Sequence, residues 1–504
     1  MILSIRPAIA AAALVTTALG SSVFAHPSVQ AANASIDKSA SSIADSETEL
    51  RHAYDKAGWQ PIWSSQSRQS LETALADRAK HGLDRVEFLP TDVNKGSPET
   101  VDVAYTRAAL GYADALAHGH VDPKTLHEIY TVAKPNADLG AALAIAAKEG
   151  RVGEWLDGLA PQSDAYRALS DAYLAMRAKQ DQTAREIAPA KSIHIGDTDP
   201  RVDAIAKQLA DDGYLRAASM ASDKYTQTIA DAVKALQRNY GIVDDGIVGP
   251  DTLGVLNVDP ADRARALAVA LERRRWLSRT PPSTRIDVNT AAAMLRYYRD
   301  GKLVDERRVI VGEPDHETPS LGSPIYRLVA NPTWTVPKSI QNSELANVGP
   351  SYMRAHNMRI ENGWIVQQPG PDNALGLVKF DMKNDQAIYL HDTSSPSLFD
   401  KSERHLSHGC VRVSDALGFA GMIADQEGVG EQWREAHASG DYTIVNLPKE
   451  IPVRLLYHNV FVTQTGKLAY RTDPYGWNDA IATKLGFGAS GNNRAKAQSV
   501  DVGP

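Results

Sequence analysis

Two neighbouring stretches decide how this chain is read: Ile388-Tyr389-Leu390-His391-Asp392-Thr393, then Arg404-His405-Leu406-Ser407-His408-Gly409-Cys410-Val411-Arg412-Val413. The run Ala387 to His391 reads as a strand with His391 at its end. Cys410 follows His391 by 19 residues, a separation that a loop reverses so that imidazole and thiol can meet. Cysteine attacks as the thiolate, so a working cysteine needs a base or cation to shift it from a free pKa of about 8.5. Histidine is the natural partner. Gly409 permits backbone shapes and close approaches that a side chain would forbid, and amides near Gly409 and Cys410 are placed to hold an oxyanion. Ser407 to Arg412 reads as the start of a helix. Taken singly, a cysteine is usually a small buried hydrophobe and a histidine a satisfied core or surface group. Here serine, histidine, glycine, cysteine and arginine crowd into six positions. His391, His405, His408 and Cys410 are all metal-ligand types, but catalytic zinc normally draws on a cleaner set backed by carboxylates. Neither metal nor organic cofactor is expected.

Outward from this centre, short β-branched runs at Arg285 to Val288, Arg307 to Val311, Ile325 to Ala330, Tyr442 to Asn446, Val453 to Tyr457 and Val460 to Thr463 predict a β-rich domain over 285–465. The Pro-, Gly- and Asn-rich insertion 336–376 inside it reads as a lid, and 466–504 as a C-terminal extension. Upstream, 47–190 is helical, with Ala/Leu-rich segments at Ser70 to His81, Val103 to His118 and Asp164 to Gln180. A second helical unit spans 195–258. Its helices Pro200 to Asp212 and Lys224 to Tyr240 precede Asp245-Gly246-Ile247-Val248-Gly249-Pro250-Asp251-Thr252, a glycine turn whose Pro250 suits the first turn of a closing helix. Arg263 to Leu277 is a charged helix holding Arg273-Arg274-Arg275-Trp276; three arginines in an acidic protein read as a solvated or salt-bridged face rather than a nucleic-acid site.

Composition bounds the function. The chain has 504 residues, 43% hydrophobic and 23% charged, with a net charge of −7. Such a chain is neither disordered nor collagenous, and its field does not favour nucleic acid. Its single cysteine excludes intramolecular disulfides and cysteine-cage metal sites. Residues 1–25 put Arg6 before the uncharged stretch Ala8 to Leu19 and end Val23-Phe24-Ala25, the pattern of a secretory signal cleaved after Ala25. A membrane anchor is the competing reading, but that helical stretch spans only about 18 Å of a core about 30 Å thick. Residues 26–46 read as a flexible leader. No transmembrane segment is expected in the mature chain, which places it in the periplasm.

The strings YLHDT and SHGCVRV resemble the L,D-transpeptidase (YkuD-type) catalytic family. By that resemblance Cys410 is the nucleophile and His391 the general base. His408, Gly409 and Arg412 build the oxyanion and substrate pocket, with Ser407 and Tyr389 beside them. Asp392 after the histidine, and arginine rather than asparagine at 412, depart from the commonest pattern. The DGIVGPDT string with VKALQRNYGI resembles a small three-helix peptidoglycan-binding module; an ordinary helical linker domain is the plain alternative. Tyr54 to Trp63, Asn331 to Ile340 and Gln368 to Gly376 are similar to the larger periplasmic members of the family. The expected fold is therefore multidomain α+β: a helical N-terminal scaffold, the binding module and a β-rich catalytic domain with a lid. The implied activity joins peptidoglycan tetrapeptide stems, as donor and acceptor, into 3→3 cross-links through a thioester, and implies acylation by carbapenems. L,D-carboxypeptidase action or D-amino-acid exchange at the same site are the alternatives, and a non-catalytic wall-binding scaffold is the alternative of another class.

Overall fold

The computed structural model describes residues 40–180, 186–216 and 223–489. The signal, the leader as far as residue 39 and the tail from 490 lie outside the described residues. Helix α1 (Ala40–Lys56) begins inside the stretch read as leader. It is followed by α2 (Ser65–Ala76), α3 (Pro98–His118), α4 (Leu139–Lys148), α5 (Val152–Leu159) and α6 (Asp164–Arg177). The Tyr54 to Trp63 string has a physical reason to exist here. Buried Asp102 on α3 accepts from the Tyr54 hydroxyl at 2.7 Å and from the amides of Ile62 and Trp63, each at 3.1 Å, so one carboxylate satisfies the turn that leaves α1.

The module follows as α7 (Val202–Asp211), α8 (Gln227–Tyr240) and α9 (Pro250–Leu256). Gln237, buried on α8, organises its glycine turn. Its Oε1 accepts from Gly246 N at 2.9 Å, while its Nε2 donates to Ile247 O at 3.0 Å and to Thr252 Oγ1 at 3.0 Å. Gly246 sits at φ +78°, and Pro250 opens α9 as its position suggests.

Helix α10 (Pro260–Arg275) corrects the reading of the arginine run. Arg273 and Arg275 are buried, as is Glu272. Arg275 donates to Glu272, to His81 O at 2.7 Å and to the Tyr166 hydroxyl at 2.9 Å. The salt-bridged half of the expectation holds, but the face is a core face: α10 contributes Leu267, Ala268 and Leu271 to the scaffold core. The residues read as a C-terminal extension return to that same core through Ile481, Leu485 and Phe487.

The β-rich domain is built on β1 (Arg285–Asn289), β2 (Met294–Arg299), β3 (Lys302–Gly312) and β4 (Gly322–Ala330). Next come β5 (Trp334–Thr335), α11 (Lys338–Asn342), α12 (Pro350–Ala355), β6 (Met358–Glu361) and β7 (Trp364–Gln367), then β8 (Val378–Met382), β9 (Leu390–His391), β10 (His405–Ser407) and β11 (Val411–Val413). Helices α13 (Ala416–Gln426) and α14 (Gly430–Ala438) and strand β12 (Thr443–Leu456) complete it, and β13 (Val460–Val462), β14 (Leu468–Tyr470) and α15 (Asn478–Lys484) lead the chain back to the scaffold core. Strand order in the large sheet is β10-β3-β11-β9-β8-β4-β12-β1-β2, and β2 also pairs with β3. Eight strands thus close on themselves, with β10 attached at β3. Three expectations shift here. The two strands read at 442–446 and 453–457 are one strand, β12, with a register shift between Asn446 and Ile451. The strand read from Ala387 shortens to Leu390–His391 because Ala387 takes φ +54°. Val411 to Val413 is a strand, and the helix expected at Ser407 starts only at Ala416.

The insertion read as a lid is a small folded cap with its own sheet and core. Strands β5, β7 and β6 form its sheet, and Trp334, Val336, Ile340, Leu345, Met358 and Leu375 form its core. Buried Asn373 donates to Pro332 O at 3.1 Å and Gln368 O at 2.9 Å, and Gln367 donates to Asp372 O at 3.0 Å.

Candidate active site

Strands β9 and β11 run parallel, with Leu390 opposite Val411 and His391 opposite Arg412. Val411 N donates to Tyr389 O at 3.1 Å, which brings Cys410 beside Tyr389. Side chains two apart on a strand share a face, so Tyr389 and His391 line up with Cys410 and Arg412. The Tyr389 and His391 rings lie 5.6 Å apart, centre to centre. Lys379 on β8, opposite His391, holds its ammonium 4.1 Å from the centre of the Tyr389 ring. Tyr389 also packs against the cap.

The thiol is partly buried, and Sγ donates to Ala387 O at 3.7 Å. Burial pushes the Cys410 thiol up; hydrogen bonds from Tyr389 and the charges of Lys379 and Arg412 pull against that rise. Burial, reinforced by the Arg412 guanidinium, lowers His391 to about 3, so its ring is neutral at neutral pH. Its Nδ1 has no hydrogen-bond partner among the described residues. Imidazole and thiol therefore share one face of the sheet as a neutral pair, with no hydrogen bond between them. Arg412 is itself buried, and burial lowers its pKa.

The turn that presents the cysteine is fastened from several sides. Ser407 Oγ donates to Cys410 O at 2.6 Å and accepts from Gly409 N at 3.3 Å. Gly409 stands at φ +107°, where only glycine is unstrained. Thr318 Oγ1 donates to Gly409 O at 2.8 Å. In this structure the Gly409 amide is directed at Ser407 Oγ within the turn. His405 departs from the candidate set: it is buried, and its Nε2 lies 2.9 Å from Thr290 O. His408 points the other way, with Nε2 2.8 Å from Glu344 of the cap. The four residues weighed as metal ligands do not converge. Asp392 plays a different part, because its Oδ2 accepts from Leu377 N at 2.9 Å, and a side chain at Gly376 would fall 2.3 Å from that oxygen. It fastens the return of the cap to β9. Sequence reasoning missed Lys379, Thr318 and Glu344, whose contacts with the motif are all made across long sequence separations.

The sequence model for the YkuD L,D-transpeptidase catalytic domain matches residues 283–432, which hold every one of these strands from β1 to β11. Over this segment the chain is similar to an L,D-transpeptidase catalytic domain. Two other models match the same chain, the scaffold domain at 48–172 and the family described as "Putative peptidoglycan binding domain" at 198–256. A Haemophilus influenzae protein named "Putative L,D-transpeptidase" is 33% identical over 224 residues, 39% of this chain and 45% of its own length. The chain thus spans less than half of that relative. Among solved structures, an L,D-transpeptidase from Xylanimonas cellulosilytica aligns over 53% of this chain and 99% of its own, at 19% identity and a TM-score of 0.19. One from Stackebrandtia nassauensis aligns over 53% and 97%, at 15% identity and a TM-score of 0.23.

Proposed function

We propose that the chain is a cysteine-dependent L,D-transpeptidase acting on peptidoglycan stem peptides, with Cys410 as nucleophile and His391 as general base. The observation that supports this best is the shared sheet face: one thiol, one neutral imidazole and a buried guanidinium inside an L,D-transpeptidase catalytic domain. In the first step His391 takes the thiol proton as sulfur bonds to the carbonyl carbon of the third stem residue. The carbon–nitrogen bond to the terminal D-alanine then breaks, and the proton leaves with that amine. In the second step the side-chain amine of a neighbouring stem attacks the thioester, gives up a proton to His391 and releases the thiol with a 3→3 cross-link. Because both groups rest neutral, the thiolate forms at attack rather than standing ready as an ion pair. Tyr389 and Arg412 favour the charge on sulfur, and Ser407, His408 and Gly409 shape the turn and the pocket edge.

The helical module at 198–256 would hold wall polymer near the site, and substrate of this kind places the protein outside the cytoplasm. No helix among the described residues is long and apolar enough to cross a membrane. Incubating the purified protein with tetrapeptide muropeptides and weighing the products tests the reading. A cross-linked dimer lacking one D-alanine is the expected product. Tripeptide alone would mean L,D-carboxypeptidase action, an exchanged terminal residue would mean D-amino-acid exchange, and unchanged substrate would leave a wall-binding scaffold.

A further inference from the structure

Behind the cysteine turn, the loop that follows β3 carries a second cluster of polar side chains that the chemistry above does not use. Glu313 N donates to Ser407 O at 2.8 Å. Gly312 N donates to Thr318 Oγ1 at 2.8 Å, and the Tyr475 hydroxyl donates to Gly312 O at 2.7 Å. At Gly312 a Cβ would fall 2.0 Å from His316 O, so the loop folds tightly on itself and is tied to the motif at both ends. It holds His316 Nδ1 2.9 Å from Glu313 Oε1. The His316 and His408 rings lie 4.8 Å apart, centre to centre. His408 Nε2 is 2.8 Å from Glu344 Oε1 and 4.0 Å from Glu313 Oε1. One donor atom from each of Glu313, His316 and His408 lies within 4.8 Å of the others.

We propose that Glu313, His316, His408 and Glu344 bind one divalent transition-metal ion of the zinc type, and that the ion pins the cap to the turn bearing Cys410. Two imidazole nitrogens and two carboxylate oxygens are a normal zinc donor set, and two carboxylates balance the dication. Metal–donor bonds of about 2.0–2.2 Å in a tetrahedron place the donors roughly 3.3 Å apart, so the Glu313, His316 and His408 donors draw in from within 4.8 Å of one another, and Glu344, already 2.8 Å from His408 Nε2, turns from that contact onto the ion. The locked loop supplies two ligands in advance, the motif a third, and the cap the fourth. His316 is 48% exposed on its side chain, which leaves an entry path. Binding exchanges two separate hydrogen-bonded pairs for one junction between three segments of chain. The consequence for turnover rests on the function proposed above: a pinned cap, with His408 engaged by metal, slows acyl transfer reversibly.

The test uses the full chain with Cys410→Ala, so that the thiol cannot compete for metal. Titration with cobalt(II), displaced by zinc(II), should show one tetrahedral site by its visible absorption. Adding His316→Gln and Glu344→Gln, both outside the reacting face, should weaken zinc binding roughly a hundredfold. Zinc should also slow hydrogen exchange across 338–355 in the Cys410→Ala protein but not in the triple variant. Absence of a tetrahedral cobalt spectrum, or equal affinity in the triple variant, overturns the proposal. With the wild-type cysteine, zinc should lower cross-linking and a chelator restore it, and His316→Gln should relieve the inhibition. A protein that binds the ion as expected but never cross-links would refute the function and leave the site standing.

Discussion

Two buried arginines, each beside a buried histidine, sit in the scaffold and in the catalytic sheet, and they differ in one partner. In the scaffold, Arg275 lies against His81, whose pKa burial lowers to about 3 with help from that guanidinium. In the catalytic sheet, Arg412 lies against His391, which burial and the guanidinium lower to about 3 as well. The histidines are equivalent, but the arginines are not. Although burial opposes its charge, Arg275 is held above its ordinary value by Tyr166 and Glu272, and it donates to His81 O and the Tyr166 hydroxyl. Arg412 has no carboxylate partner among the described residues; burial lowers its pKa, and only the charge of Cys410 opposes that. A paired buried charge serves architecture, whereas an unpaired one keeps its field available to a neighbouring thiol.

The largest effect should come from the thiol on which the second arginine acts. Cys410→Ser keeps nearly the same volume, so its unfolding free energy should change by less than about 1 kcal/mol, while cross-linking in the muropeptide assay falls by roughly a thousandfold or more. Substantial residual cross-linking would place the nucleophile elsewhere. The scaffold arginine should behave in reverse. Arg275→Ala leaves Glu272 buried without its cation, and removing one partner of a buried pair costs about 3–5 kcal/mol. Denaturant unfolding should report that loss, and the rate per folded molecule should stay near that of the parent. A loss below about 1 kcal/mol would mean that Glu272 is held by Val121 N, at 2.7 Å, and needs no arginine.

How far these contrasts can be read from sequence depends on where the partners sit. The strand end at His391, the spacing to Cys410 and the need for glycine at 409 are local features, and the structure agrees with each. Val411 to Val413 is too short to show a strand period, and Asp415 at φ +46° sets the real helix start beyond it. The arginine run looked solvated because its partners, at residues 81 and 166, are far away in the chain. The Pro, Gly and Asn content of 336–376 reads as a loop and carries no sign of the cap's own sheet and core. Its order comes from the amides of Gln367 and Asn373, whose bonds to the backbone have no periodic signature.

The two histidines predict a shared response to acid. Each has a folded pKa near 3, below the ordinary 6.5, so the unfolded chain takes up the proton first. Their contribution to stability is complete above about pH 6.5 and declines as the pH falls toward about 3, at about 1.4 kcal/mol per pH unit for each histidine. Replacing His81 with Gln should remove one share of that slope in equilibrium unfolding measured from pH 7 to pH 4. A slope equal to that of the parent would mean that His81 protonates in the folded protein.

The smallest effect is also the one that tests the contrast most directly. If Arg412 acts through its field, Arg412→Met should remove the charge while keeping a long apolar side chain in the same buried slot. Removing an unpaired buried charge should leave stability unchanged or slightly higher, the opposite of Arg275→Ala. The thiol should lose one of the two cations that oppose its burial, so its pKa rises. That rise lowers the thiolate fraction, and the rate of iodoacetamide alkylation at pH 8 should fall severalfold with it. The pH profile should keep its shape and move upward, and no inflection should appear between pH 5 and 7, because His391 stays neutral across that range. An inflection there would mean that His391 carries a proton beside a preformed thiolate. An unmoved profile in Arg412→Met would assign the remaining pull on the thiol to Lys379 and Tyr389, and the two arginines would then differ in pairing but not in purpose.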